Sequence, residues 1–129
     1  MSKDITRLVD GWPHDPGEVR ARWIVADDGS RKIQLRLDLG LFQMEPDGRP
    51  DGARPRGARS LCDFYVDEER RTPGNVLPDK LDFDACAELQ QEVMQYYYRI
   101  MAFYALGDFP RVVRDCDHNL DLIDIVSEY

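Results

Sequence analysis

The run GRPDGARPRGARS, from Gly48 to Ser60, sets Arg49, Arg54, Arg56 and Arg59 against a single acid, Asp51. Guanidinium forks on a glycine- and proline-rich frame hold carboxylate or phosphate through paired hydrogen bonds. Arg59 also stands next to an expected helix start, where free N–H groups favour anions. One chemistry for this stretch is therefore capture of an anionic, phosphate-bearing ligand; the other is solvation of a loop and pairing with the chain's own acids. No phosphate loop is present, because both the G-x-x-x-x-G-K-[ST] and the G-x-G-x-x-G patterns are absent.

A second candidate is aromatic: Tyr96, Tyr97, Tyr98, Phe103 and Tyr104 form the densest ring cluster. Three consecutive helical residues sweep about 200°, so the helix is packed on two sides or presents a ring outward. Tyr97, Tyr98 and Tyr104 are the expected partner contacts. Asp117, Asp121, Asp124 and Glu128 make an acidic row on the last helix, a pattern that could hold a divalent ion or receive a basic partner and is read as a solvated face opposite the apolar one.

Catalytic chemistry is poorly supplied. His14 lies in a Pro-rich turn, His118 reads as a partly exposed surface residue, and Ser2, Ser30, Ser60 and Ser127 sit in no G-x-S-x-G elbow. Cys62, Cys86 and Cys116 form no C-x-x-C pair and read as buried, reduced thiols on the apolar sides of helices. Cys116 and His118 are two apart and diverge on a helix. No catalytic residue, metal site or cofactor is assigned.

These groups need a frame. Val19, Ala21, Trp23 and Val25 alternate with mostly polar neighbours, as do Ile33, Leu35, Leu37, Leu39 and Leu41, predicting a β-hairpin around Asp27-Asp28-Gly29. Keeping both apolar sets on one face requires an odd loop; pairing Val25 with Ile33 and Trp23 with Leu35 would set Arg20 across from Asp38. Residues 46–57 form a loop, 58–71 a short helix and 72–80 a linker. Asp82 or Asp84 caps a long helix, and Gly107, Asp108 and Pro110 mark a tight turn into the last one. The inner stripe of that helix is predicted as Val112, Val113, Cys116, Leu120, Ile123 and Val126. It reaches Tyr129 without a cap, which suggests a domain from a longer protein.

The segment Tyr96 to Leu122, centred on Leu106-Gly107-Asp108-Phe109, resembles one tetratricopeptide repeat, although Arg99, Ile100, Val112, Asn119 and Asp124 depart from that family's preferences. One repeat must bury its face on a neighbour, and the β-hairpin is expected to supply it. RKIQLRLDLGLFQME (Arg31 to Glu45), DGRPDGARP (Asp47 to Pro55), YYYR (Tyr96 to Arg99) and the closing VSEY (Val126 to Tyr129) resemble an uncharacterised bacterial family. Its longer members carry a C-terminal UVR motif, a small helical hairpin that lies outside this sequence.

At 129 residues, with 43% apolar and 33% charged residues, the chain suits one globular domain. The net charge of −8 disfavours nucleic acid, and no apolar run is long enough to span a bilayer. The expectation is an α+β fold over residues 1–129: an N-terminal segment and β-hairpin (1–45), the arginine loop (46–57), a short helix (58–71) and a helical hairpin (82–129). The expected function is a non-enzymatic protein-interaction or scaffolding module of the bacterial cytoplasm. The alternative is a regulatory module that senses an anion through the arginine loop. A second copy is also an expected partner, burying Trp23 or Trp12 across a two-fold axis.

Overall fold

Asp27, Asp28 and Gly29 reverse the chain between β1 (Arg20–Val25) and β2 (Arg31–Arg36). The Ala26 amide donates to the Ser30 carbonyl at 2.8 Å, leaving three residues in the turn, and Gly29 sits at φ 85°, where a side chain would be strained. The computed structural model describes residues 3–71 and 83–128. The odd loop keeps both apolar sets on one face, but the register is shifted by two from the expected one. Trp23 faces Ile33 and Ala21 faces Leu35. Arg20 therefore lies across from Arg36, not Asp38, and its guanidinium approaches Asp15 and Glu18 at 3.8 Å.

The leucine alternation read as one strand belongs to two. β2 stops at Arg36, the Leu37 amide donates to the Gly40 carbonyl at 2.7 Å, and β3 (Leu41–Met44) returns alongside β2 with Met44 opposite Ile33. Arg36 secures this reversal through the carbonyls of Leu37 and Gly40. Leu39, at the tip, is exposed. The sheet order β1-β2-β3 makes β2 central and paired along both edges, and from Ile33 to Arg36 both of its faces are buried. Ile33 and Leu35 pack with Ala102 and Phe103, while Arg36 donates from Nε to the Trp12 carbonyl at 2.6 Å and Arg22 lies over the Trp12 ring. The N-terminal segment on that side includes an unexpected short helix, α1 (Thr6–Asp10), whose Thr6 amide donates to Asp4 at 2.8 Å.

After a single 3-10 turn at Pro55–Gly57, α2 (Leu61–Arg71) starts three residues later than expected, because the Ser60 hydroxyl accepts the Asp63 amide at 3.0 Å. The predicted linker and Asp82 cap lie outside the described residues. α3 (Phe83–Ala105) and α4 (Phe109–Glu128) form the predicted helical hairpin. Gly107, at φ 73°, closes α3 with amide bonds from Gly107 to Tyr104 and from Asp108 to Phe103, and Asp108 then caps α4 through the Arg111 amide at 3.3 Å. The fold is α+β, as expected. One apolar cluster joins the sheet to the hairpin through Ile33, Leu35, Met44, Ala102 and Phe103; another joins α2 to the far end through Leu61, Cys62, Tyr65, Leu89 and Leu122.

The orientation of α4 corrects the sequence reading. Its fully buried residues are Asp115 and Leu122, flanked by partly buried Val112, His118, Asn119 and Ile125, whereas Val113, Leu120, Ile123 and Val126 are 42–58% exposed. The predicted inner stripe thus points mostly outward. A buried guanidinium on α3 requires a carboxylate from α4, and this pairing rotates the helix away from its most apolar side. Asp117, Asp121 and Asp124 accordingly lie beside the exposed apolar stripe, not opposite it. Cys62 is buried as expected, while Cys86 and Cys116 are only half-buried.

Candidate functional site

Arg99 sets the geometry of the arginine loop. It is 1% exposed, forks Nε and Nη2 onto the two Asp115 oxygens at 2.8 Å each, and donates Nη1 to the Glu45 carbonyl at 2.9 Å. Arg114 donates to the Pro46 carbonyl at 2.8 Å and to Asp47 at 2.7 Å, and the Tyr96 hydroxyl donates to the Gly48 carbonyl at 3.1 Å. Burial pushes that hydroxyl up to about 12. Backbone carbonyls of the loop thus satisfy donors of the hairpin, and the loop is anchored to it.

Deeper in the molecule, Glu92 is fully buried and accepts the Leu61 and Cys62 amides at 2.7 and 3.1 Å. Those are the first two N–H groups of α2, which favour an anion by charge and by geometry. Arg49 lies 3.5 Å from one Glu92 oxygen; His118 Nε2 lies 3.1 Å from the other and its ring stacks on Tyr96 with centroids 3.6 Å apart. Burial alone pushes the Glu92 carboxyl up, but the hydrogen bonds from His118 and the two amides outweigh it and hold it below its ordinary 4.5. The anion preference at this helix start is therefore met by the chain itself. His118, expected at the surface, is a packed interior residue with a side chain 13% exposed.

The four loop arginines separate by role. Arg49 is buried and pairs with Asp51 at 3.2 Å and with Glu92. Arg56, at φ 51°, donates to the Tyr65 hydroxyl at 3.2 Å, lies over the Phe64 ring and reaches Glu88 at 3.6 Å. Arg54 and Arg59 are exposed, and among the described residues neither forms an ion pair. They border a cleft of about 500 Å³ beside α2, but Asp63, Asp67 and Asp121 line it too. Its charge is mixed.

The tyrosines also divide. Tyr96 is internal, Tyr98 makes an edge contact with Phe42 at 4.7 Å beside the sheet, and Tyr97 and Tyr104 are 48% and 67% exposed. Tyr104 continues onto α4 through Phe109, with centroids 5.9 Å apart. From there Phe109, Val113, Cys116, Leu120 and Ile123 follow at alternating spacings of four and three, which puts them on one side of the helix. All but Cys116 are at least half exposed. This row, with Tyr97 and Tyr104, is an extended apolar surface, whereas singly scattered exposed apolar residues are ordinary. The tryptophans are differently placed: Trp23 packs on Phe103 with Arg31 and Arg111 over its ring, and Trp12 lies under Arg22.

Among the described residues no group of three or more histidine, cysteine or acidic side chains is placed to hold a metal ion, and no helix is long and apolar enough to cross a membrane. Comparison with protein-family models, curated proteins and solved structures finds no match. Sequence reasoning missed Glu92, Arg99, Asp115 and His118 as an internal network. The available signal was Arg99, which falls within the packed face of an otherwise apolar and aromatic helix segment and so required a buried acid.

Proposed function

We propose that the chain is a non-enzymatic protein-interaction module of the bacterial cytoplasm, with the outer face of the α3–α4 hairpin as its contact surface. The observation that carries this reading is the outward apolar row of α4, continued by Tyr104 and Tyr97, beside an interior in which Arg99 pairs with Asp115 and Glu92 with His118 and the first α2 amides. Aromatic and aliphatic side chains exposed as a row gain free energy when a partner covers them, and rings of this kind dominate interface energetics. Three free thiols fit a reducing compartment. The bacterial assignment rests on the sequence resemblance.

Site-specific photo-crosslinking tests the reading. A photoreactive residue at Val113, on the row, should yield a discrete crosslinked partner in cells, whereas one at Asp28, in the β1–β2 turn, should not. Equal yields at the two positions, or none at Val113, would refute it.

A second reading, sensing of a phosphate-bearing anion, is supported by Arg54 and Arg59 at the α2 cleft, which form no ion pair among the described residues. It ranks below the first because Arg49 and Arg56 are committed internally and three aspartates share the cleft. Pyrophosphate titration of the native chain and of an Arg54→Ala/Arg59→Ala variant tests it: binding lost in the variant supports sensing, and no binding by the native chain removes it.

A further inference from the structure

The outward row of α4 has the spacing of a coiled-coil seam. With Val113 and Leu120 at a positions, Phe109, Cys116 and Ile123 fall at d, and the e positions beside the seam are Pro110, Asp117 and Asp124, all exposed. The inward positions are the ones that bury Asp115 and Leu122, with Asn119 half-buried beside them, against the rest of the molecule, so the seam is left over after the fold has used the other side. Neither helix places a basic residue on this surface among the described residues. Arg99 is buried, Arg111 lies over the Trp23 and Phe103 rings, and Arg114 is tied to Asp115 and Asp47. The surface is therefore apolar along its centre and negative along one flank.

From this arrangement we infer that the seam docks an amphipathic helix of another protein, with apolar residues at its own a and d positions and lysine or arginine beside them. The inference rests on the interaction-module reading and adds the partner's chemistry. The heptad spacing specifies a helix, because knobs repeating every three and four residues fit the holes of another helix and match no strand. The acidic e positions specify a basic flank, since charges beside the seam select the partner by attraction and repel the wrong one. A second copy of this chain fits poorly. In an antiparallel two-fold pairing e positions meet e positions, which sets Asp117 and Asp124 of one copy against those of the other, in a chain already at −8. A parallel pairing would need the g positions, of which the half-buried Val112 and Asn119 lie on the side of α4 that faces α3, where Asn119 donates to the Val93 carbonyl.

Three synthetic helices test this with the full chain: a three-heptad peptide with leucine at a and d and lysine at e and g, the same peptide with glutamate at e and g, and a scrambled peptide of the lysine composition. Titration calorimetry in 0.15 M salt should show saturable binding of the lysine peptide and binding at least about tenfold weaker for the other two. Leu120→Asp should abolish the lysine-peptide binding. Asp117→Lys/Asp124→Lys, which leaves the apolar row intact, should reverse the preference toward the glutamate peptide; circular dichroism confirms that both variants keep the fold. Equal binding of lysine and scrambled peptides, or an unchanged preference after the charge swap, would overturn the inference. So would sedimentation showing that the free chain is a dimer dissolved by Leu120→Asp, since a second copy would then own the seam. If the Val113 crosslink captures a partner and the lysine peptide does not bind, only the basic-helix chemistry fails. If the crosslink captures nothing, the module reading fails with it.

Discussion

Replacing Asp115 by alanine should be among the most damaging single changes in the chain. Asp115 is fully buried and holds both forks of Arg99 at 2.8 Å, with Arg114 at 3.1 Å. Its loss strands the 1%-exposed Arg99 guanidinium with only the Glu45 carbonyl as acceptor. Leaving one member of a buried ion pair uncompensated costs about 3–5 kcal/mol, a large share of the roughly 5–15 kcal/mol that holds a domain of this size together. The reverse change, Arg99→Met, should cost less, because Asp115 keeps Arg114. The double variant Arg99→Met/Asp115→Leu removes both charges and should recover most of the loss, since an apolar pair of similar volume is often tolerated there. Urea unfolding of the native chain, Arg99→Met, Asp115→Leu and the double variant closes the cycle, with a coupling of about 2–3 kcal/mol between the two sites. An Asp115→Ala cost under about 1 kcal/mol, or additive single changes, would refute the claim that this pair fixes the rotation of α4.

Other consequences follow from the same geometry. Leu122→Ala should cost about 2–5 kcal/mol and Leu120→Asp within about 0.5 kcal/mol, the reverse of the ranking by an inward Leu120; thermal unfolding of both decides it. Glu92 is held below its ordinary 4.5 in the folded state, so its contribution is present above that value and lost as pH falls through the folded one. Glu92→Gln should therefore lower stability at neutral pH and flatten the acid limb of a stability-versus-pH curve; an unchanged acid limb would count against the buried cap. Burial pushes the Cys62 thiol up to about 12, so alkylation at pH 8 should leave it unmodified in the folded chain and modify it in urea, as read by mass spectrometry.

Much of the frame was legible in the sequence because it depends on local rules. Asp27 to Gly29 and Leu106 to Phe109 specify their turns through backbone geometry and capping alone, and the odd-loop argument correctly kept Trp23 and Ile33 on one face. Register was less legible: alternation through Leu37, Leu39 and Leu41 cannot say whether a strand continues or folds back at Gly40. The rotation of α4 was misread for a different reason. Its apolar stripe is more hydrophobic than the side it buries, and only the long-range demand of Arg99 for Asp115, together with Glu92 for His118, decides between them. Likewise, composition cannot separate arginines that pair internally, such as Arg49, from those that stay exposed, such as Arg54 and Arg59. Of the three consecutive tyrosines Tyr97 points outward, one of the two arrangements the helical sweep left open, and Tyr98 turns toward the sheet edge; Tyr104 is exposed as well.

The most direct measurement of the central claim is thiol labelling at the middle of the seam. In a Cys86→Ser/Cys116→Ala background, Leu120→Cys should react with a maleimide about as fast as an unfolded control when the protein is free and monomeric. Saturating lysine-flanked peptide should slow it by about tenfold or more. Slow labelling of the free protein, or a rate indifferent to the peptide, would contradict the account.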